Sequence, residues 1–208
     1  MSRFKCFLKA FFDGLAHWIL LFIVNQIQNM KLEEFVEKVF FPSNVSIIAG
    51  IILLIYTINS PFILNNFIVF VVSMLVYKFS VSFTKRKVES ETKKFSIAAF
   101  TSLILFLMLA YFLPLSKVFL FGVFTLFLLN IIHHSVRDLW KISTHTMTYT
   151  AICIFFAIID FRFSFGFILL PLVVWSRLKL KRHTVLQVVI GFIVGLIVPL
   201  LIRYFISI

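Results

Sequence analysis

The chain has 208 residues, of which 62% are hydrophobic and 13% are charged, and its mean hydropathy is +1.08. A soluble domain carries about 25% charged residues, so this composition excludes an ordinary soluble globular protein. The formal net charge is +12, but the cations sit in short loops between apolar runs, without the aromatic-basic platform of a nucleic-acid module. We therefore expect membrane lipids and no nucleic acid as partners, with the cations reflecting the positive-inside bias or attraction to anionic headgroups.

The first 40 residues differ from the rest of the chain. The stretch Phe4–Gln28 is apolar but is interrupted by charged residues, and Lys31–Lys38 carries charges of both signs. This pattern predicts an amphipathic or interfacial helical segment over residues 1–40, or an imperfect additional span. The remaining residues, 41–208, are predicted to form a transmembrane helical domain.

Seven apolar segments follow, and each runs on without the strict alternation that a barrel strand requires. They cover residues 45–58, 62–80, 96–113, 116–132, 145–159, 163–175 and 184–206. Several are short for a bilayer of about 30 Å. The predicted fold class is all-α, a polytopic helical membrane protein with about six to seven transmembrane helices, located in the cell membrane.

The connections between these segments form two groups that alternate along the chain. The strongly basic connections are Lys78–Lys94, His133–Thr144 and Ser176–Arg182. The others are Asn59–Pro61, Pro114–Lys117 and Asp160–Ser164. Strict alternation puts the three basic loops on one membrane face, and the positive-inside rule predicts that this face is cytoplasmic.

One basic loop ends in a histidine at the mouth of a helix. Its sequence places Lys141, Ser143 and Thr144 just before His145. Ser143 or Thr144 is a natural N-cap, and the helix that follows offers free backbone N–H groups and the positive end of its dipole. Such a helix start binds anions, and Lys141 can add a point charge.

A second basic loop has the same plan. It begins with Ser176 and Arg177 and ends at His183, with Gln187 four residues further on. The Arg177 guanidinium can offer two N–H groups to a phosphate. On a helix, Gln187 faces the same side as His183 and can orient one ring nitrogen. The spacing predicts a nucleophile or base beside an anion cradle.

At this point the sequence resembles the type 2 phosphatidic-acid phosphatases, an integral-membrane family. Their third motif is Ser-Arg, five residues, His, three residues, Asp. Ser176-Arg177, five residues, His183 and three residues reproduce that motif, but Gln187 stands in place of the aspartate. The likeness continues through Gly191 and Gly195, as in the closing helix of that family.

The other two family motifs are less complete. The second is Pro-Ser-Gly-His, of which Ile142-Ser143-Thr144-His145 keeps the serine and the histidine. The first is Lys, six residues, Arg-Pro, and its nearest counterpart is Lys78, six residues, Lys85-Arg86. The resemblance covers roughly residues 60–206.

The resemblance implies a role for each matching residue. His183 would attack phosphorus, and His145 would protonate the leaving alcohol. Arg177 would bind the phosphate oxygens, Ser143 would donate a hydrogen bond to them, and the helix mouth at Thr144 would help to hold them. Further cationic contacts could come from Lys78, Lys85 and Arg86 or, with equal physical merit, from Arg137 and Lys141.

The departure at Gln187 bears most on activity. The family aspartate fixes the tautomer of the nucleophilic imidazole and stabilises its cationic form, and an amide oxygen can do the first but cannot supply the charge. We expect no spare carboxylate near His183. Asp138 lies in another loop and Asp160 at the opposite face.

A metal site is the weaker interpretation of the histidines. His133 and His134 could join His145, but adjacent histidines point in different directions on a helix, and no cysteine or carboxylate ligand lies in position. The sequence therefore predicts neither a metal nor a cofactor.

The preferred hypothesis is a metal-independent lipid phosphatase of the membrane. It would hydrolyse a phosphate or diphosphate monoester of an isoprenoid or glycerolipid through a phosphohistidine intermediate. The alternative is a family member that keeps the phosphate pocket but binds, transports or scaffolds a phosphorylated lipid without turnover.

Overall fold

The computed structural model describes residues 31–84, 91–136 and 140–206, without the side chains of residues 91–96 and 99. Its regular elements are helices throughout these ranges. They are α1 (Leu32–Val39), α2 (Pro42–Tyr56), α3 (Ile63–Thr84), α4 (Glu91–Phe112), α5 (Lys117–Val136), α6 (Thr144–Ile159), a 3₁₀ helix (Phe161–Leu169), α7 (Leu170–Lys179) and α8 (Val185–Phe205). Most of the predicted interfacial segment, residues 1–30, lies outside the described residues.

Four helical segments among the described residues are long and apolar enough to cross a membrane. They are α3, α5, the continuous run Phe161–Lys179, and α8. Helices α1 and α2 meet at a bend of 53° and add a fifth if they form one broken span. The part of α4 from Phe100 to Phe112 and the whole of α6 are apolar but shorter. The structure therefore confirms an all-α fold of the multi-pass membrane type, with four to five candidate spans.

Each apolar segment predicted from the sequence contains a helix, but the segment 163–175 has an irregular start. It winds first as a 3₁₀ helix, and α7 begins only at Leu170. Pro171 stands in the first turn of α7, where its missing N–H costs no hydrogen bond. Before it, the Asp160 side chain accepts a hydrogen bond from the backbone N–H of Arg162 at 3.0 Å and caps the 3₁₀ helix.

Helix α6 is the centre of the bundle. It packs against α8, α2, α5, α7 and the 3₁₀ helix. Its buried residues lie on all sides of the helix and include Thr146, Thr148 and Thr150. On the apolar side, the rings of Phe155 and Phe121 of α5 lie 4.8 Å apart. A helix enclosed on all sides is held by its neighbours, which is consistent with its shorter length.

Helices α6 and α8 run parallel and approach closely at two glycines of α8. A Cβ atom on Gly191 would lie 2.7 Å from the Ser143 carbonyl oxygen, and one on Gly195 would clash with the Met147 carbonyl oxygen. Small residues four apart let two helix backbones come together in this way. The backbone N–H of Ser143 also donates to the Gln187 carbonyl at 3.2 Å. The starts of α6 and α8 are thereby fixed side by side.

The opposite end of the bundle is held by two asparagines at the start of α3. Asn65 donates to the Pro114 carbonyl at 2.9 Å, and the buried Asn66 bonds both the hydroxyl and the backbone N–H of Ser116. Helix α5 begins at this end and its last residue, Val136, leads through residues 137–143 into α6. The loops that end at His145 and His183 therefore share one end of the bundle, as the alternation predicted.

Candidate functional site

Four helices meet where α6 and α8 begin. His145 lies in the first turn of α6, and Arg177 in the last turn of α7. His183 precedes α8, whose first turn contains Gln187. Glu37 of α1 reaches the same place across the surface of α7. The structure thus brings together four residues predicted from the sequence and one that was not.

The turn after α7 places His183. The backbone N–H of Lys181 donates to the Leu178 carbonyl at 3.0 Å, and that of Arg182 donates to the Arg177 carbonyl at 3.1 Å. These two bonds form a Schellman motif, which reverses the chain direction at a helix end. Its turning residue, Lys181, has a φ of 52°, a left-handed conformation that usually belongs to glycine. The chain is thereby directed straight into α8.

The start of α8 is a capping box. The backbone N–H of Gln187 donates to the Thr184 hydroxyl at 3.4 Å, and the Gln187 side-chain oxygen, Oε1, accepts from the backbone N–H of Thr184 at 3.1 Å. Both bonds satisfy N–H groups that a helix start leaves free. Gln187 therefore has a structural role in addition to any role in chemistry.

The same Gln187 oxygen fixes the tautomer of His183. It lies 3.2 Å from the Nδ1 atom of His183. Because the Thr184 N–H can only donate, the amide atom that faces it must be oxygen, and this oxygen can only accept from Nδ1. The neutral imidazole consequently carries its hydrogen on Nδ1 and its lone pair on Nε2. This is the orientation that a nucleophilic histidine needs.

Burial lowers the pKa of His183 from 6.5, its ordinary value. The hydrogen bonds with the Gln187 side chain and the Lys141 backbone raise the pKa, and the positive charges of Lys141 and Arg177 lower it further. Lys141 itself is exposed at the mouth of α6. The net effect of burial and of these charges favours the neutral imidazole over the charged one.

Arg177 is the most deeply buried charge of the site, with 1% of its surface exposed. Its Nη1 atom lies 2.9 Å from Glu37 Oε1 and 3.3 Å from His145 Nε2, and its Nε atom donates to the Ser176 hydroxyl at 3.4 Å. The other terminal nitrogen, Nη2, is buried and has no hydrogen-bond partner in the described part of the chain. A buried N–H group without a partner is rare and indicates a place that a ligand can fill.

The contact with Arg177 also settles the state of His145. A guanidinium can only donate, so His145 Nε2 accepts, and the neutral ring carries its hydrogen on Nδ1. His145 can donate a proton from Nε2 only after Arg177 has moved away and the ring has taken up a proton. In the described arrangement, His145 therefore cannot act as a general acid through Nε2.

Glu37 is the residue that the sequence analysis missed. Its carboxylate pairs with Arg177 and lies 3.7 Å from the Nε atom of Arg182. The packing of α1 against α7 brings this carboxylate to Arg177 and Arg182, and its contacts in the described part of the chain are with these two arginines. The expectation that no further carboxylate serves His183 stays a prediction. Two features of the sequence could have drawn attention to Glu37. It stands next to Val36, the buried residue of an amphipathic helix, and it is one of only eight acidic residues in the chain.

Ser143 occupies the predicted N-cap position of α6, but its side chain does not cap the helix. Its hydroxyl is fully buried and lies 3.0 Å from the Thr146 hydroxyl. Its carbonyl accepts from the backbone N–H of Met147 at 3.0 Å. Thr144 is half-buried in the first turn. Ser143 can donate to an anion only after its pair with Thr146 has opened.

Besides Arg177, the structure describes two of the cations predicted for the site, Lys141 and Lys78. Lys78 is exposed on α3, a helix that packs mainly against α4, and it is not among the residues around Arg177. Lys85, Arg86 and Arg137 lie outside the described residues. The cations that the structure places near the two histidines are Arg177, Arg182 and Lys141.

The site combines an imidazole whose Nδ1 atom is held by Gln187, a second imidazole and a buried guanidinium. This set can bind an anion and can transfer a phosphoryl group to nitrogen. Within the described ranges, no group of three or more His, Cys, Asp or Glu side chains is placed to hold a metal ion. Comparison with protein-family models, curated protein sequences and solved structures gives no match.

Proposed function

We propose that this protein is a membrane phosphatase that hydrolyses a lipid phosphate or diphosphate without a metal. The observation that carries the proposal is the meeting of two oriented histidines with a buried arginine: Gln187 holds the Nδ1 atom of His183, and Arg177 contacts His145 while its buried Nη2 atom has no partner among the described residues. An isoprenoid phosphate, phosphatidate or phosphatidylglycerol phosphate would suit the site.

The sequence spacing supports the same proposal. Ser176-Arg177 and His183 keep the spacing of the third phosphatase motif, and Ser143 and His145 keep half of the second. Gln187 can replace one function of the family aspartate, because its Oε1 accepts a hydrogen bond from His183 Nδ1 as a carboxylate would. What the amide lacks is the negative charge that would stabilise a cationic imidazole.

In the first step, the Nε2 lone pair of His183 attacks phosphorus and a P–N bond forms. The P–O bond to the leaving group, which is the lipid alcohol of a phosphate or the lipid monophosphate of a diphosphate, breaks, and His145 in its protonated form gives a proton to the leaving oxygen. Arg177 turns from His145 toward the phosphate and stabilises the charge on its equatorial oxygens. That movement frees the Nε2 atom of His145, so substrate binding and acid catalysis are linked.

In the second step, water attacks the phosphorus of phosphohistidine. His145, now neutral, takes a proton from this water, the P–N bond breaks, and inorganic phosphate leaves with the electron pair restored to His183 Nε2. No metal is required, since nucleophile, acid and cationic group are all side chains. Lys141 and Ser143 would add contacts to the phosphate.

The membrane arrangement is part of the proposal. The short apolar helices, α6 and the second half of α4, would join the longer ones in a bundle of six to seven spans in the cell membrane. The lipid headgroup would enter at the basic end, on the cytoplasmic face, while its tail remains in the bilayer between helices.

The test is phosphate release by the purified full chain from a panel of lipid mono- and diphosphates, in the presence of a chelator. We expect turnover by the wild type and none by His183→Ala, with both proteins showing the same thermal unfolding midpoint. A wild type that releases no phosphate from any lipid of the panel would refute the enzymatic proposal.

A second candidate function is binding of a phosphorylated lipid without turnover. It is favoured by one contact, the Glu37 carboxylate on Arg177, and by the missing charge at Gln187. Binding and hydrolysis measured on one preparation separate the two functions. Binding without hydrolysis, unchanged by Gln187→Glu, would favour the binding protein.

A further inference from the structure

The anion site is closed in this structure. Arg177 has 1% of its surface exposed, and its unpaired Nη2 atom is buried. Of the side chains in contact with Arg177, Glu37 is 24% exposed and His145 is also partly exposed. An anion therefore cannot reach the guanidinium unless a neighbouring group moves.

The segment Glu37–Phe41 covers both Arg177 and His145. Glu37 at the end of α1 lies on Arg177, and Phe41, the N-cap residue of α2, lies on His145 with ring centroids 5.5 Å apart. Between them, Phe40 contacts the ring of Tyr149 at 5.1 Å. The two helices meet here at a bend of 53°, in front of Pro42. A bend that ends in a proline can change its angle while both helices keep their hydrogen bonds.

Charge explains why Glu37 occupies this position. A buried guanidinium without a counter-ion is strongly destabilising, so Arg177 needs a negative partner in every state. The Glu37 carboxylate provides that partner at 2.9 Å and also lies 3.7 Å from Arg182, whose side chain is 64% exposed. A phosphate offers the same planar pair of oxygens to an arginine as a carboxylate does. One anion can therefore replace the other.

We propose that Glu37 is an internal anion that occupies Arg177 when the site is empty, and that a phosphate group displaces it as the segment Glu37–Phe41 moves off the site. The inference rests on the anion site of the proposed function and adds its regulation. Displacement uncovers Arg177 and His145 together, so the site opens only for a ligand that competes successfully with the carboxylate. Anions of the membrane surface that bind Arg177 more weakly than the Glu37 carboxylate does would not enter the site.

The proposal predicts two opposite effects of Glu37→Gln. The variant unfolds more easily when empty, because Arg177 loses its counter-ion. It binds inorganic phosphate about ten-fold more tightly, because the phosphate no longer has to break a charge-assisted hydrogen bond. A residue that merely positions Arg177 would give weaker phosphate binding when it is lost.

The experiment is calorimetric titration of the detergent-purified full chain with inorganic phosphate at pH 7.5. The matched control is Glu34→Gln, which removes the same charge from an exposed position of the same helix. We expect tighter binding in Glu37→Gln and wild-type affinity in Glu34→Gln. The proposal is overturned if Glu37→Gln binds phosphate no more tightly than the wild type, or if the control variant gains as much affinity. It is also overturned if neither Glu37→Gln nor the wild type binds phosphate.

If Glu37→Gln does not fold, Glu37→Asp takes its place. The shorter carboxylate keeps the charge but lengthens the contact with Arg177, and its phosphate affinity should lie above that of the wild type; an unchanged or lower affinity overturns the proposal. The outcome is independent of turnover. If the wild type hydrolyses lipid phosphate but Glu37→Gln gains no phosphate affinity, only the displacement of Glu37 is refuted. If Glu37→Gln gains affinity but no lipid is hydrolysed, only the phosphatase activity is refuted.

Discussion

The Oε1 atom of Gln187 lies 3.2 Å from the Nδ1 atom of His183 and forces that nitrogen to carry the hydrogen. The same oxygen accepts the backbone N–H of Thr184, which closes the capping box of α8. One amide therefore orients the candidate nucleophile and stabilises the helix on which it sits. A substitution at this position must be chosen so that the two roles can be separated.

Gln187→Glu separates them, because glutamate is the other residue that completes a capping box and it adds the missing charge. We expect kcat/KM for lipid phosphate to rise about ten-fold, because a carboxylate makes a charge-assisted hydrogen bond that stabilises the cationic imidazole. Gln187→Ala should lower kcat/KM and also reduce the free energy of unfolding by about 1 kcal/mol. Unchanged turnover in Gln187→Glu would contradict a role for this charge in the reaction.

The pH dependence of activity should depend on Lys141. Burial lowers the pKa of His183 from its ordinary value, and the Lys141 charge lowers it further, so the acid limb of the kcat/KM profile of the wild type should lie below the pH at which an unperturbed histidine titrates. Removing the cation in Lys141→Gln raises the pKa of His183, so the acid limb of the profile should move to higher pH.

The control for that profile is Lys179→Gln, which removes an equal charge from an exposed position on α7. Its acid limb should remain where the wild type has it, apart from a small long-range effect. An equal movement in both variants, or a movement to lower pH in Lys141→Gln, would contradict a local effect of Lys141 on His183.

The contact between α6 and α8 should be intolerant of a single methyl group. In Gly195→Ala the new Cβ atom would clash with the backbone carbonyl of Met147, which cannot rotate away, and we expect the free energy of unfolding to fall by about 1–3 kcal/mol. In Gly166→Ala the nearest atom is the Cys153 sulfur at 3.3 Å, so the change should be smaller. Thermal unfolding in detergent measures both, and equal midpoints would contradict the close helix contact.

Replacing Lys181, which has a left-handed backbone conformation, should increase the stability of the protein. Glycine adopts this conformation without steric cost, so Lys181→Gly is expected to raise the free energy of unfolding by about 1 kcal/mol. Lys179→Gly, two residues earlier and still inside α7, should lower it by about the same amount. The thermal unfolding midpoints of the two variants should therefore move in opposite directions, and a lower midpoint for Lys181→Gly would contradict the Schellman turn.

The apolar runs made most of the fold predictable, because a helix that faces lipid or other helices must be apolar over its whole length. The spacing of Arg177, His183 and Gln187 identified one half of the site, since those residues are joined by a short turn and a single helix start. Glu37 could not be found in the same way. It lies 140 residues from Arg177, and only the packing of α1 on α7 brings the two together.

Lys78 shows a limit of sequence spacing. Its distance from Lys85 resembles that of a motif, but spacing along the chain does not determine which helix lies beside Lys78. Helix α3 packs on α4, away from the central contact of α6 with α8. Similarly, Ser143 has the side chain of an N-cap, and its hydroxyl is instead taken by Thr146.

The most direct test of the proposed function is to trap the phosphorylated enzyme. Wild-type protein is mixed with a lipid phosphate labelled at phosphorus, quenched in alkali, where phosphohistidine survives, and its peptides are sequenced by mass spectrometry. The account predicts phosphate on His183, at Nε2, because Gln187 occupies Nδ1. Label on another residue or on Nδ1, or hydrolysis that persists in His183→Ala, would contradict it.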